Sequence, residues 1–282
     1  MVSDELITAE DDYEVGSNTL IKALAAIKDK SLEDQSEIKD FLYSLSVDEI
    51  LNFYRRSVDQ NNLVDVPNIL PDGYVIPKEG LYKSFELKKM HDKPIIFGST
   101  RDEEKLFMVF DEYFTQRPLG FLSWIDSRFN FYIKPKDLQY YDIYSKYMTE
   151  STILGATHLP SRYSSLQNAS PVYAYRFDWD EEPDDWSFLI GAGHAMELGF
   201  LFKTKSLTEE KKTSIAQLLY DTEKMDTDLQ LADEMGKYWV NFAYDDDPNM
   251  NPYVMNNKWL DWNSETNEER FLVLDTINDK GI

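Results

Sequence analysis

The sequence predicts an α/β fold, a mixed sheet flanked by helices. Three apolar runs of strand length carry that expectation: Pro94-Ile-Ile-Phe97, Val172-Tyr-Ala-Tyr-Arg-Phe177 and Arg270-Phe-Leu-Val-Leu-Asp275. Each is rich in β-branched and aromatic residues. Helical periodicity fills the first third of the chain and returns before the last run. At 282 residues, the chain is long enough to bury a large core as one big or two modest domains.

In chain order, Ser17 or Asn18 caps a helix whose Leu20, Leu24 and Ile27 share a face, and Ile38, Phe41, Leu42 and Leu45 mark a second. Ser46-Val-Asp-Glu49 reads as a capping box opening a third, backed by Ile50, Leu51 and Phe53-Tyr54. Turn residues follow in Val66-Pro-Asn-Ile-Leu-Pro-Asp-Gly73. The first strand is expected to break at Gly98 into a turn carrying Glu103. Between Glu112 and about Ser165 aromatic residues accumulate, among them Tyr113, Phe114, Tyr140, Tyr141 and Tyr144. They read as helix and loop packing. The alternative is the wall of an apolar pocket. Leu231, Met235, Trp239 and Phe242 then recur at helical spacing, which predicts a helix buried against the sheet and stopped before Pro248. Asp245-Asp-Asp247 lacks the alternating ligands and closing glutamate of a calcium loop and reads as a solvated helix end.

Charge narrows the partners. The chain has 29 basic and 52 acidic residues, net charge −23, so it repels nucleic acid and anionic membrane. Zero cysteines exclude disulfides, thiolate metal sites and a cysteine nucleophile without assigning a compartment. No metal site or cofactor motif is present. Met1-Val-Ser-Asp-Glu-Leu is acidic where a signal peptide is basic, and nothing reaches the length of a membrane span. The expectation is a soluble chain with no visible address.

Two segments carry chemistry. Gly98-Ser-Thr-Arg-Asp-Glu103 follows the first strand. Gly191-Ala-Gly-His-Ala-Met-Glu197, with one of only three histidines, follows the second. An acid and a much later histidine, each just past a strand, stand in the order of the last two members of an α/β-hydrolase triad. The nucleophile's Gly-x-Ser-x-Gly elbow is absent, because no two of the 11 glycines stand four apart. A glycine run able to supply oxyanion-hole amides is absent as well. Taken as residues alone, Glu103 reads first as a solvated charge or helix cap and His194 as a satisfied structural histidine. His91 and His158 read as surface residues. Glu197 either faces the site or structures its loop.

A family resemblance raises both. Asp72-Gly-Tyr-Val-Ile-Pro77, Gly98-Ser-Thr-Arg-Asp-Glu103 with Leu106-Phe107, Pro171-Val-Tyr-Ala-Tyr-Arg-Phe177, Gly191-Ala-Gly-His-Ala-Met-Glu197 and Tyr238-Trp-Val-Asn-Phe-Ala243 with Asp247-Pro-Asn249 occur in order. Together they resemble the C-terminal half of a type-B carboxylesterase, the cholinesterase-like group of α/β-hydrolases. The resemblance implies that residues 1–282 are the C-terminal part of such a domain, with Glu103 and His194 as triad acid and base. It implies that Leu106 and Phe107 help line the acyl pocket. The chain departs by carrying Glu104 and Ala195 where glycine is common. It also has no counterpart to the family's N-terminal half, with its nucleophile elbow. The implied activity is ester hydrolysis on a small-molecule ester, completed by an N-terminal half or by a partner chain that carries the nucleophile. The chain alone is expected to be inactive. The alternatives are a non-catalytic, cholinesterase-like binding module and an inert gene fragment.

Overall fold

A computed structural model describes residues 25–26, 28–30, 34–57, 71, 73–80, 83–84, 92–122, 132–158, 161, 170–204, 219–220, 223–255, 257–262 and 271–276. The chain divides into two compact units, Met1–Leu87 and Lys88–Ile282. The expected helix around Leu20 and Leu24 lies outside the described residues, as do His91 and most of the turn before Gly73.

In the first unit, α1 (Gln35–Ser44) starts at Asp34, whose carboxylate accepts from the amides of Ser36 (2.8 Å) and Glu37 (2.9 Å). These bonds satisfy donors that a helix start leaves unpaired. α2 (Val47–Ser57) opens on the expected capping box: Glu49 accepts from the Ser46 amide and hydroxyl, both at 2.8 Å, and the Glu49 amide donates to the Ser46 hydroxyl at 3.3 Å. Phe41 and Leu45 bury with Ala25, and Leu42 and Ile50 pack against them. The helical spacing seen in the sequence is therefore the spacing of this small core.

The second unit is built on a three-stranded sheet in the order β1 (Ile95–Thr100), β4 (Val172–Phe177), β5 (Phe271–Leu274). The three predicted strands share it. Ile95 pairs with Val172 through to Thr100 with Phe177, and Ala174 pairs with Phe271 through to Phe177 with Leu274, both in parallel. An antiparallel bridge joins Tyr173 to Asp261. Parallel neighbours need crossovers. The β1 to β4 connection contains α3 (Lys105–Phe110), the short antiparallel pair β2 (Thr115–Gln116) and β3 (Lys134–Pro135), and α4 (Leu138–Ile153). The return to β5 contains α5 (Asp184–Leu189), α6 (Met196–Leu201) and α7 (Met225–Asp245).

β1 does not break at Gly98. The strand runs on to Thr100 and the turn begins at Arg101. Gly98 instead makes room for its cross-strand partner, since a Cβ there would lie 1.8 Å from the Tyr175 ring. The glycine marks a close approach of a side chain rather than a bend.

α7 packs as its periodicity demands. Leu231, Ala232 and Met235 enter the main core with Phe177, Trp179 and Phe200. Tyr238 buries with Tyr173 and Trp259, and Trp239 stacks edge-on against Tyr175 at 5.2 Å. The helix stops with Asp246 in the left-handed conformation (φ 59°), two residues before Pro248. Asp247 accepts from the amide of Asn249 at 2.9 Å and so structures the turn.

Among the described residues of the aromatic stretch, Tyr141 enters the main core and Phe114 and Tyr144 pack against it, as helix packing predicts. Tyr141 alone among the tyrosines of α4 is fully buried, its hydroxyl donating to the Leu189 carbonyl at 2.6 Å. Phe114, Tyr140 and Tyr144 stack in series with centroids 4.9–6.1 Å apart, and Tyr113, Tyr140 and Tyr147 stay exposed. Aromatic rings next to one another bury area mutually while keeping their hydroxyls wet.

Candidate active site

The parallel strands end on the same side. Glu103 sits in the turn directly after β1, whereas His194, expected just past a strand, lies beyond α5 in the loop that leads into α6, 17 positions (194 − 177) after β4 ends at Phe177. After β1, residues 101–104 form a tight turn into α3. The Thr100 amide donates to Glu103 Oε1 at 2.8 Å, which fixes the carboxylate and leaves Oε2 free to face another partner. That partner is His194. Its Nδ1 lies 2.7 Å from Glu103 Oε2, across a separation of 91 positions. The Glu103 side chain is 11 % exposed and the imidazole 52 %, so the acid is shielded while the far edge of the ring is open.

With Nδ1 bonded to a carboxylate, the neutral ring is held in the tautomer that carries its proton on Nδ1 and offers Nε2 as a base. The hydrogen bond to Glu103 is the main cause of a raised His194 pKa, opposed by partial burial and helped by the charges of Glu103, Glu197 and Glu104. Glu197 is itself pushed up by burial, with the Glu103 charge adding to the rise. Tyr175 is driven well up, first by burial and then by Glu197 and Glu103. The sheet face below the pair is therefore an acidic, partly dry environment.

Phe107 packs on the imidazole, centroids 5.2 Å apart and tilted by 40°. Leu106 lies against the main core and near Gly193. The two departures from the family pattern are each accommodated. Glu104 turns to α4, its amide donating to Thr149 Oγ1 at 3.1 Å and its carboxylate accepting from Thr152 Oγ1 at 2.7 Å. Ala195 takes φ 62° and ψ 9°, a left-handed conformation that costs an L-residue about 1–2 kcal/mol. Ala195→Gly is therefore expected to raise the free energy of unfolding modestly, by about 0.5–1 kcal/mol once the greater freedom of the unfolded glycine is subtracted. Chemical denaturation measures it, and a loss of stability would show that the backbone here is not strained.

His158 is not the surface residue expected. It is half-buried in a π-turn, Leu154–His158, that continues α4, and stacks on Phe271 with centroids 5.4 Å apart and planes at 16°. Burial and the Arg176 charge lower its pKa. It lines a cleft of 330 Å³ with Ser99, Thr157, Tyr175, Arg176 and Phe271. Sequence reasoning missed this because the stacking partner is 113 positions away (271 − 158). The role of the Thr100 amide was equally invisible, since a backbone donor leaves no mark in a sequence.

The sequence model of the carboxylesterase family spans residues 8–280. The chain belongs to the carboxylesterase family. No curated relative matches it by sequence. Among solved structures it is similar to a PNB esterase (21 % identity, TM-score 0.60), with 92 % of this chain and 49 % of that one covered. A second PNB esterase structure matches at 20 % identity and TM-score 0.58, covering 92 % and 50 %. A carboxylesterase of Geobacillus stearothermophilus matches at 18 % and 0.56, again covering 92 % and 50 %. These likenesses give the fold, part of an α/β-hydrolase. The chain spans about half the length of the solved structures it matches. Among the described residues of this carboxylesterase-family chain, no helix is long and apolar enough to cross a membrane.

Proposed function

We propose that the chain supplies the acid and the base of a Ser-His-Glu triad to an ester hydrolase, and that it corresponds to the C-terminal half of a type-B carboxylesterase domain. The observation that supports this most directly is the 2.7 Å contact between His194 Nδ1 and Glu103 Oε2, made between the turn after β1 and the loop after α5. The nucleophilic serine and the oxyanion-binding amides belong to a segment outside these 282 residues, either elsewhere on one polypeptide or on a partner chain.

In that mechanism Nε2 of His194 takes the serine proton as the serine oxygen bonds to the ester carbon. It returns the proton to the departing alcohol as the ester C–O bond breaks. Water then repeats the sequence on the acyl-enzyme. Glu103 holds the tautomer and stabilises the imidazolium, and no cofactor is required. Phe107, on the imidazole face, and Leu106 border the acyl group.

The 282-residue chain alone is expected to hydrolyse a short-chain p-nitrophenyl ester no faster than its His194→Ala variant, and an organophosphonate is expected to label none of its serines. Adding a complementary half with a Gly-x-Ser-x-Gly elbow should restore both. Serine labelling of the chain alone would overturn the assignment of the nucleophile. Failure of every complementary half to restore activity, with the complex formed, would point to a binding module or an inert fragment.

A further inference from the structure

We propose that Asp102 is a positioning residue that clamps the histidine loop to the acid turn and so holds His194 within bonding distance of Glu103. The proposal rests on the reading of Glu103 and His194 as acid and base.

Asp102 immediately precedes the acid, and the residue it grips lies two before the base. Its amide donates to the Ala192 carbonyl at 2.9 Å, and the Ala192 amide donates back to Asp102 Oδ2 at 3.2 Å. One residue of the β1 turn is thus bonded to one residue of the histidine loop in both directions. The fit is close. Gly191 has φ +53°, and a Cβ on it would lie 2.6 Å from Asp102 Oδ2.

The carboxylate is held from its own side as well. Arg101 donates to Oδ2 through Nε at 3.0 Å and through a guanidinium NH2 at 2.9 Å, and Lys105 Nζ lies 2.9 Å from Oδ1. Arg101 also reaches Asp180, past the end of β4, at 2.7 Å. The two cations neutralise a carboxylate that is only 16 % exposed and fix its orientation, which charge-assisted bonds do better than neutral ones. Glu103 is meanwhile tethered by the Thr100 amide. Between the clamped Ala192 and the imidazole there remains one glycine, Gly193, so a loop freed from Asp102 carries the ring away from a fixed acid. Small displacements of this kind weaken hydrogen-bonded catalytic pairs strongly.

Titration of His194 by NMR in the labelled full chain tests this, with the resonance assigned from a His194→Gln spectrum. The wild-type midpoint is expected above the ordinary value of about 6.5, and Glu103→Gln, which removes the main cause of the rise, should lower it. Asp102→Ala should lower it comparably, and Asp102→Asn, which keeps an acceptor for the Ala192 amide, by less. Gly191→Ala, which crowds Oδ2, should lower it too and keeps the test open if Asp102→Ala does not fold. Asp102→Asn separates position from charge, because it removes the carboxylate charge as completely as Asp102→Ala does while keeping an acceptor for the Ala192 amide. A merely structural Asp102 would lower the melting temperature and leave the midpoint in place, which would overturn the proposal. Should Glu103→Gln fail to move the midpoint, the acid–base reading itself falls, and the clamp with it.

Discussion

In the protein completed with its serine, His194→Ala is expected to lower kcat by about 10⁴-fold or more, and Glu103→Gln by a similar order. The histidine variant has no group to take the serine proton. Glutamine keeps the shape of Glu103 but removes the anion that faces Nδ1 at 2.7 Å. The ring then loses both its preferred tautomer and the charge that stabilises imidazolium. Because the two groups act as a unit, the double variant should fall little below His194→Ala alone. Rates on a p-nitrophenyl ester, with complex formation checked for each variant, measure this. Retention by Glu103→Gln of activity within about tenfold of the parent would remove the acid from the mechanism.

The second large effect concerns stability. Glu182, in the turn between β4 and α5, is 2 % exposed, and among the described residues neither carboxylate oxygen meets a donor from another residue. Burial pushes its pKa up to about 9, with the charges of Asp180 and Asp102 adding to the rise and Lys105 opposing it. Asp275, at the end of β5, is pushed up to about 7 for the same first reason, joined by Glu181, Asp178 and Asp180. A carboxyl with a raised folded pKa binds its proton more tightly folded than unfolded. Stability is therefore greatest below the unfolded value of about 4.5 and declines as pH rises toward the folded value.

Glu182→Gln removes that decline. Its advantage over the parent should be small near pH 5 and grow to a few kcal/mol near pH 8, since each tenfold difference in proton affinity between the folded and unfolded chain is worth about 1.4 kcal/mol. Urea unfolding at the two pH values decides it. The difference between them, rather than either value alone, cancels any fixed cost of burying the amide. An advantage independent of pH would mean that Glu182 is not held protonated in the folded chain.

Local signals in the sequence and the structure agree where the physics is local. The Ser46–Glu49 capping box, the spacing of Phe41 and Leu45, and the stop of α7 ahead of Pro248 each depend on residues within a few positions of one another. Strand composition placed all three strands of the main sheet, because buried parallel strands are continuous apolar runs. Gly98 departs from expectation for a reason that lies across the sheet. Glycine means either a bend or a close approach, and only the Tyr175 ring, brought alongside by parallel pairing, distinguishes them. His158 differs from expectation in the same way, since burial depends on what the crossover brings to each face.

The sequence by itself determined the strand-forming runs, the absence of a nucleophile elbow in these residues, and the acid and histidine that follow β1 and β4. Tertiary structure alone decided that those two groups meet. Parallel pairing in register brings the ends of β1 and β4 together, and the β1 turn closes on the histidine loop through Asp102 and Ala192. A hydrogen bond of 2.7 Å between residues 91 positions apart has no local signature, because its geometry is set by the sheet between them rather than by either segment.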